Sequence, residues 1–248
     1  MIQLIDVRKR FGKQEVLKGV NLELEDGKTT VIIGRSGGGK SVLLKHMIGL
    51  IKPDSGQVLI DGVDITTLNE RELNEIRKKF GMLFQEGALF DSMSVGENVA
   101  FPLREHTKLS DSEVRDKVAD RLRAVGLTGI ENKMPSEISG GMRKRVGLAR
   151  AIALHPQFVL FDEPTTGLDP VMTEAINQLI LEIRNRFHLT CIVISHDLDS
   201  TFKISDKIAM LYEGEIIEYG TPEDIKASQN PITIQFLAGS IEGPIKIL

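Results

Sequence analysis

The chain has 248 residues, of which 41% are hydrophobic and 27% are charged, and its formal net charge is −4. This composition is typical of a globular protein of one or two domains with a large core. The acidic balance gives no general basic surface for nucleic acid. The single cysteine, Cys191, excludes an internal disulfide and fits a reducing compartment.

The first residues show no signal-peptide pattern. No apolar run approaches the roughly 18 residues of a membrane-spanning helix. We therefore expect any role at a membrane to depend on a partner chain.

Residues 1–26 alternate loosely between apolar and polar, which predicts two or three short antiparallel strands. Phe11 lies in a basic, polar loop between them. It either packs a hairpin corner or offers a flat surface on which a base can stack. The residue alone leaves both interpretations open.

A glycine-rich stretch, Gly34–Ser41, fits the pattern G-x-x-x-x-G-K-[ST] of a phosphate-binding loop. The β-branched run 30–33 before it predicts a buried strand, and residues 40–51 predict a helix. Glycines let backbone N–H groups approach phosphate oxygens, and the helix dipole favours negative charge there. In such a loop Lys40 contacts the β- and γ-phosphates, and the Ser41 hydroxyl is a ligand for Mg²⁺. We therefore predict nucleotide binding.

Residues 57–60 predict a strand and residues 68–79 a polar helix. The apolar strand over 80–84 ends at Gln85, which either caps the strand or lies beside a metal and a γ-phosphate. Residues 86–103 are rich in glycine, methionine and phenylalanine, and they have few charges. We expect the apolar side chains of this segment to form an exposed docking surface for a partner chain. They are those of Leu89, Phe90, Met93, Val95 and Phe101.

Residues 110–125 have helical periodicity with a Ser110/Asp111 cap, which indicates a helical insert at about residues 88–155. Ile138–Met142 opens a further helix over 142–154, with Ser139 as its N-cap. Two glycines at a helix start leave N–H groups available to an anion. A capped helix with a solvated basic face is the equally weighted alternative.

An apolar strand over 158–161 leads to two adjacent carboxylates, Asp162 and Glu163. Ligands of open α/β sheets bind at the carboxyl ends of the strands. These two acids can take different roles: Asp162 holds Mg²⁺ through water, and Glu163 polarises the attacking water. A helix is predicted from about residue 171 to 187. A second buried strand, 191–194, leads to His196, which is either structural or catalytic.

None of the five histidines has metal-ligand spacing, which argues against zinc. Residues 206–219 predict two strands, and Thr221 with Pro222 predicts a helix start.

Together these motifs resemble the nucleotide-binding subunit of ATP-binding cassette (ABC) transporters over about residues 1–223. The resemblance implies an α/β P-loop NTPase fold with a RecA-like core, an N-terminal antiparallel β subdomain and an inserted helical subdomain. It implies an ATPase domain over residues 1–225 and a C-terminal tail over 226–248. It also implies an enzyme that hydrolyses ATP with Mg²⁺ and forms a homodimer with two shared ATP sites.

The resemblance assigns site residues by their positions in the family's motifs. The expected catalytic residues are Glu163, His196, Gln85 and Lys40. The expected nucleotide contacts are Phe11, Gly34, Arg35, Ser36, Gly37, Gly38, Gly39, Lys40, Ser41, Ser139, Gly140, Gly141 and Asp169. The expected metal ligands are Ser41, Gln85 and Asp162. Met142 and Ile138 depart from the family's usual glutamine and leucine, but the serine and both glycines of the signature are present.

Within the family, residues 139–170 and 87–107 are similar to the ATPases of Mla-type lipid-transport systems, which act with MCE-domain proteins. This implies a motor for phospholipid transport. It acts on the cytoplasmic face of the inner membrane and is bound to a permease near Glu86–Leu103. An importer ATPase for another small solute is the alternative. A nucleic-acid-linked ABC ATPase is disfavoured, because one cassette is present and the roughly 100 residues between the two glycine motifs lack sustained heptads.

Overall fold

The structure is a computed structural model that describes residues 1–246. These residues form two compact units. The first unit consists of Met1–Asn74 and the chain from Ile194 onwards, and the second consists of Glu75–Val193.

The elements up to the middle of the chain are β1 (Ile2–Phe11), β2 (Gln14–Leu24), β3 (Thr29–Ile33), α1 (Lys40–Met47), β4 (Ser55–Ile60), β5 (Val63–Asp64), α2 (Glu70–Arg77), β6 (Phe80–Leu83), α3 (Val95–His106) and α4 (Asp111–Ala124). The remaining elements are α5 (Gly140–Ala151), β7 (Phe158–Asp162), α6 (Pro170–Phe187), β8 (Thr190–Ile194), α7 (Leu198–Ile204), β9 (Lys207–Tyr212), β10 (Glu215–Gly220), α8 (Pro222–Lys226) and α9 (Pro231–Ala238). Short 3₁₀ turns lie at Ile65–Thr67 and Pro135–Glu137.

The first unit contains an antiparallel sheet in the order β2-β1-β4-β5. Its buried positions alternate along β1, where Ile2, Leu4 and Val7 are almost fully buried. A second set of strands in this unit has the order β10-β9-β3, with β3 parallel to β9. All five residues of β3 are buried, as expected for a parallel strand covered on both faces.

The second unit contains residues 190–193 of β8, followed in the sheet by β7 and β6, with β6 parallel to β7. Phe80 and Phe158 stack across this pair with ring centres 4.9 Å apart. Between β6 and β7 the chain forms the helices α3, α4 and α5. Helix α5 packs closely on β6, because a Cβ at Gly81 would lie 2.2 Å from the carbonyl oxygen of Ala151.

Several local predictions differ from the structure. The first 26 residues form two long strands of 10 and 11 residues. Helix α1 ends at Met47, short of residue 51, and Gly49 follows with a left-handed φ of 65°. Helix α3 was not predicted, although Ser94 and Glu97 form a complete capping box at its start.

The division into an ATPase domain over 1–225 and a tail over 226–248 stays a prediction. The last two residues of that tail, Ile247 and Leu248, lie outside the described residues. Within residues 1–246, no helix combines the length and the apolar character needed to cross a membrane.

Candidate functional site

A glycine-rich loop connects β3 to α1 in the first unit. Gly34 has a φ of 145°, and a Cβ there would lie 2.1 Å from the backbone oxygen of Leu211. Gly39, the N-cap of α1, has a left-handed φ of 98° and supplies no side-chain cap. Glycine satisfies both positions without displacing backbone. No side chain caps α1, and its helix dipole favours an anion at this end.

The ammonium group of Lys40 lies over this loop. Its Nζ donates to the carbonyl oxygens of Gly34 at 2.7 Å and Arg35 at 2.8 Å, and the side chain is almost fully buried. The N–H of Gly38 donates to the same Arg35 oxygen at 3.1 Å. Ser41 is exposed in the first turn of α1. The loop therefore combines a cation, a helix start and a hydroxyl in one short segment.

Phe11 ends β1 and is paired with Gln14 across the turn. Its ring is 46% exposed, so it does not fill a hairpin corner. The Nζ of Lys9 lies 5.6 Å from the ring centre. A Cβ at Gly39 would contact Val16 of β2, which shows that the loop packs against the same hairpin.

His196 follows β8 and is exposed. The N–H of Ser195 donates to the oxygen of Ile32 at 3.4 Å, so His196 lies at the end of the sheet where β3 leads into Gly34. The carboxylate of Asp197 accepts from the N–H groups of Asp199 and Ser200 and caps α7. This cap fixes the backbone on the C-terminal side of His196.

In the second unit, β7 carries Asp162 and Glu163 at its carboxyl end. The preceding residues of β7 are fully buried, whereas both acids are partly exposed. Glu163 has a φ of 51°, which is uncommon for a residue other than glycine. Its Oε2 accepts a hydrogen bond from the hydroxyl of Thr166 at 3.0 Å. Strained backbone of this kind is concentrated at functional sites.

The predicted signature begins α5, where the Ser139 hydroxyl accepts from the N–H of Met142 at 3.3 Å. A Cβ at the exposed Gly140 would meet nothing within 4 Å. A Cβ at Gly141 would meet only the end of the flexible Met172 side chain, at 2.6 Å. Packing within the second unit therefore does not require glycine at position 140, which is consistent with close approach by something outside it.

A cavity of about 470 Å³ in the second unit is lined by Gln85, by Gly140 of the signature and by Thr166–Leu168. Gln85 itself is exposed. Asp169 follows this loop, and its carboxylate caps α6 by accepting from the N–H groups of Val171 and Met172 at 2.9 and 3.0 Å. Gln85, the signature and the loop that precedes Asp169 thus line the same cavity.

Sequence reasoning missed the importance of Lys144, which it treated only as part of a basic run. The side chain is 5% exposed, and its Nζ donates to the oxygens of Pro164 at 2.8 Å and Thr166 at 2.6 Å. Burial lowers the pKa of Lys144, while the nearby Glu163 opposes that shift. Its helical spacing from the buried Gly141 and Leu148 is the signal that could have revealed it.

Residues 17–166 match the family model described as ABC transporter. The chain is 47% identical to a probable ribonucleotide transport ATP-binding protein, mkl, of Mycobacterium leprae, over 98% of this chain and 70% of that protein. It is 44% identical to the intermembrane phospholipid transport system ATP-binding protein MlaF of Haemophilus influenzae, over 99% and 93% of the two chains. The chain belongs to the ABC transporter family.

Among solved structures, this ABC chain is similar to the dimeric post-hydrolysis structure of the ATP-binding cassette MJ0796 bound to ADP and Pi. The TM-score is 0.82, with 33% identity over 90% of this chain and 99% of that one. These findings confirm the predicted fold, an α/β P-loop NTPase with an N-terminal antiparallel sheet and inserted helices. They also confirm an ATPase that binds ATP. The roles of the individual residues stay predictions.

Proposed function

We propose that this ABC chain is the ATP-hydrolysing motor subunit of a transporter that moves phospholipid across or between bacterial membranes, together with a separate permease and an MCE-type protein. The observation that carries this proposal is the similarity to MlaF along almost the whole of both chains. The match to mkl is slightly higher in identity but leaves about a third of mkl unmatched.

Transport of a ribonucleotide or another small polar solute is the second candidate. The 47% identity to mkl, whose name states ribonucleotide transport, favours it. Both candidates need the same motor, so only the cargo distinguishes them.

ATP binding is assigned to residues of the first unit. The phosphates fit the N–H groups at the start of α1 and the ammonium of Lys40, which would exchange two carbonyl acceptors for charged oxygens. The exposed ring of Phe11 would stack on the adenine. Gly34–Gly39 supply backbone that approaches phosphate closely, because bulky side chains are absent at the tight positions.

Hydrolysis is assigned to Glu163 as general base. The carboxylate would take a proton from water as the water oxygen attacks the γ-phosphorus, and the bond from that phosphorus to the β–γ bridging oxygen would break. The products are ADP and phosphate. Gln85 and His196 would orient the water and the γ-phosphate, and Lys40 would stabilise the charge on the phosphate oxygens.

Mg²⁺ is the expected cofactor, and the donor chemistry fits it. Ser41, Gln85 and Asp162 offer a hydroxyl, an amide and a carboxylate, all hard oxygen donors. In the described residues no group of three His, Cys, Asp or Glu side chains could hold a metal by itself. When bound, Mg²⁺ would neutralise phosphate charge.

Two copies of the chain would complete each ATP site. The chain carries one phosphate loop and one signature, and the related MJ0796 cassette is described as dimeric. In the dimer, Ser139–Gly141 of one copy would face the nucleotide held by the phosphate loop of the other. The open space above Gly140 supports this role.

A groove of about 310 Å³ in the second unit is the proposed permease site. Three exposed aromatic rings line it, those of Phe84, Phe90 and Phe101. It overlaps the docking segment Glu86–Leu103, but Val95 within that segment is fully buried and belongs to the core. A short amphipathic helix on the cytoplasmic side of a permease suits such a groove. The chain would thus bind the cytoplasmic face of the inner membrane peripherally.

The cargo can be tested by purifying the chain with its permease and placing the complex in proteoliposomes. We expect ATP-dependent movement of a fluorescent phospholipid and none of a labelled ribonucleotide. The matched control is Glu163→Gln, which should bind ATP but hydrolyse it about 10² to 10⁴-fold more slowly. Ribonucleotide movement without lipid movement would establish the second candidate instead.

A further inference from the structure

Helix α5 carries a buried cation that contacts the backbone of the Glu163 turn. The Nζ of Lys144 donates to the oxygens of Pro164 at 2.8 Å and Thr166 at 2.6 Å. These two residues immediately surround Thr165 and follow Glu163 in the chain. Lys144 therefore holds the turn in which Glu163 lies.

The turn needs such support. Glu163 has a φ of 51°, a conformation that persists in non-glycine residues only where surrounding contacts impose it. The N–H of Thr166 donates to the oxygen of Glu163 at 3.3 Å, and the Thr166 hydroxyl donates to its Oε2 at 3.0 Å. Because Thr166 contacts both the backbone and the carboxylate of Glu163, its position helps to set the direction of that carboxylate.

Burying the Lys144 ammonium group has an unfavourable desolvation free energy. Removing the charge from water is unfavourable unless polar partners compensate. Here the two carbonyls contribute that compensation, and the charges of Glu163 and Glu86 also favour the ammonium. Two carbonyl oxygens and two nearby carboxylates thus partly offset the cost of burying the ammonium.

The location of Lys144 adds a second consequence. It lies on the helix that begins with the signature, five residues after Ser139. It also lines the cavity shared by Gln85, Gly140 and Thr166. Lys144 therefore connects the helix that begins with the signature to the turn that follows Glu163.

We propose that Lys144 is a positioning residue for ATP hydrolysis, which fixes the Thr166 turn and so aims the Glu163 carboxylate at the attacking water. This inference rests on the proposed role of Glu163 as general base. It assigns to α5 a direct link between the signature and the catalytic carboxylate.

Lys144→Met tests the proposal in the 248-residue chain. Lys133→Met is the matched control, because Lys133 is an exposed lysine of the same unit. We expect Lys144→Met to lower kcat by about 10- to 100-fold, since a displacement of about 1 Å can cost that much. The KM and the dissociation constant for ATP should change by less than about threefold, because the proposed binding residues are untouched. Lys133→Met should behave as wild type. An unchanged kcat in Lys144→Met overturns the proposal.

A double-mutant cycle with Glu163→Gln separates positioning from general structural damage. If Lys144 acts through Glu163, Lys144→Met should lower the residual rate of Glu163→Gln by less than about twofold. A full multiplicative loss overturns the proposal. If Glu163→Gln alone keeps the wild-type rate, the general-base assignment fails, whatever Lys144→Met does.

Lys144→Gln is a second variant that tests the proposal if Lys144→Met does not fold. Its amide keeps two N–H donors for the two carbonyl oxygens but no charge. We expect it to retain at least about fivefold more kcat than Lys144→Met. If Lys144→Met does not fold, Lys144→Gln enters the same cycle with Glu163→Gln, and the criteria for coupling are unchanged.

Discussion

The guanidinium of Arg150 lies 5.6 Å from the ring centre of Phe90. Its Nη2 also donates to the oxygens of Gly87 at 2.9 Å and Ala88 at 2.8 Å. Ala88 has a left-handed φ of 44°. Arg150 belongs to the same helix as Lys144, so α5 holds two strained turns, one beside the proposed permease groove and one at Glu163.

Arg150→Met should weaken the segment that follows Gln85. The partly buried oxygen of Gly87 would lose its donor, at a cost of about 1 kcal/mol in the free energy of unfolding. We expect this loss in urea titrations, together with weaker co-purification of the permease. Arg123→Met, which removes an exposed arginine from α4, should change neither. Equal stability of both variants would show that Arg150 does not support the segment.

The proposed permease groove can be tested at Phe84, which is 43% exposed. Phe84→Asp places a charge where an apolar helix would dock, and burying that charge without a partner is unfavourable. We expect normal folding and ATP binding but loss of the permease in co-purification. Leu50→Asp is the control, because Leu50 is an exposed apolar residue outside the groove. Retention of the permease by Phe84→Asp would move the docking surface elsewhere.

Short-range signals explain which parts of the fold could be predicted. The glycine-rich loop between β3 and α1, the capped helix α4 and the strand leading to Glu163 each depend on neighbouring residues. Each was predicted close to its observed place. Helix α3 was missed because Gly96 and Pro102 lower its intrinsic propensity. Its start is stabilised by the Ser94–Glu97 capping box and by the buried Asn98, which donates to the oxygens of Phe90, Met93 and Ser94.

Contacts between distant residues explain what the sequence could not show. Val95 was expected on a docking surface, but it is fully buried. Lys144 lies between Arg143 and Arg145, and only its contacts with the turn after Glu163 distinguish it from them. The sequence shows three adjacent cations, whereas the burial of Lys144 depends on the tertiary structure.

Phe11→Ala should weaken nucleotide binding with only a small loss of stability, because the ring is about half exposed. Stacking of a base on an aromatic ring is worth about 1–3 kcal/mol, so the dissociation constant should rise by roughly 5- to 150-fold. The rise should be similar for ATP and ADP, since both carry the base. Phe11→Tyr keeps the flat ring and should retain affinity in a fluorescent-nucleotide titration. An unchanged constant for Phe11→Ala would remove it from the binding site.

His46 of α1 should make the first unit sensitive to acid. The ring is 1% exposed, its Nδ1 lies 2.7 Å from the oxygen of Val42, and its buried Nε2 has no partner. Burial lowers the pKa of His46 below 6.5; the charge of Lys9 acts in the same direction, whereas the Val42 hydrogen bond and the charge of Asp54 oppose it.

The unfolded chain therefore binds the proton first as the pH falls. Stability should be full above about pH 6.5 and decline below it towards the lowered pKa, by at most about 1.4 kcal/mol per pH unit for this one proton. Urea unfolding at pH 7.5 and 5.5 measures the decline. His46→Gln, which cannot be protonated, should show a smaller decline than wild type, whereas the exposed control His106→Gln should match wild type. The same decline in all three proteins would assign the acid sensitivity to other groups.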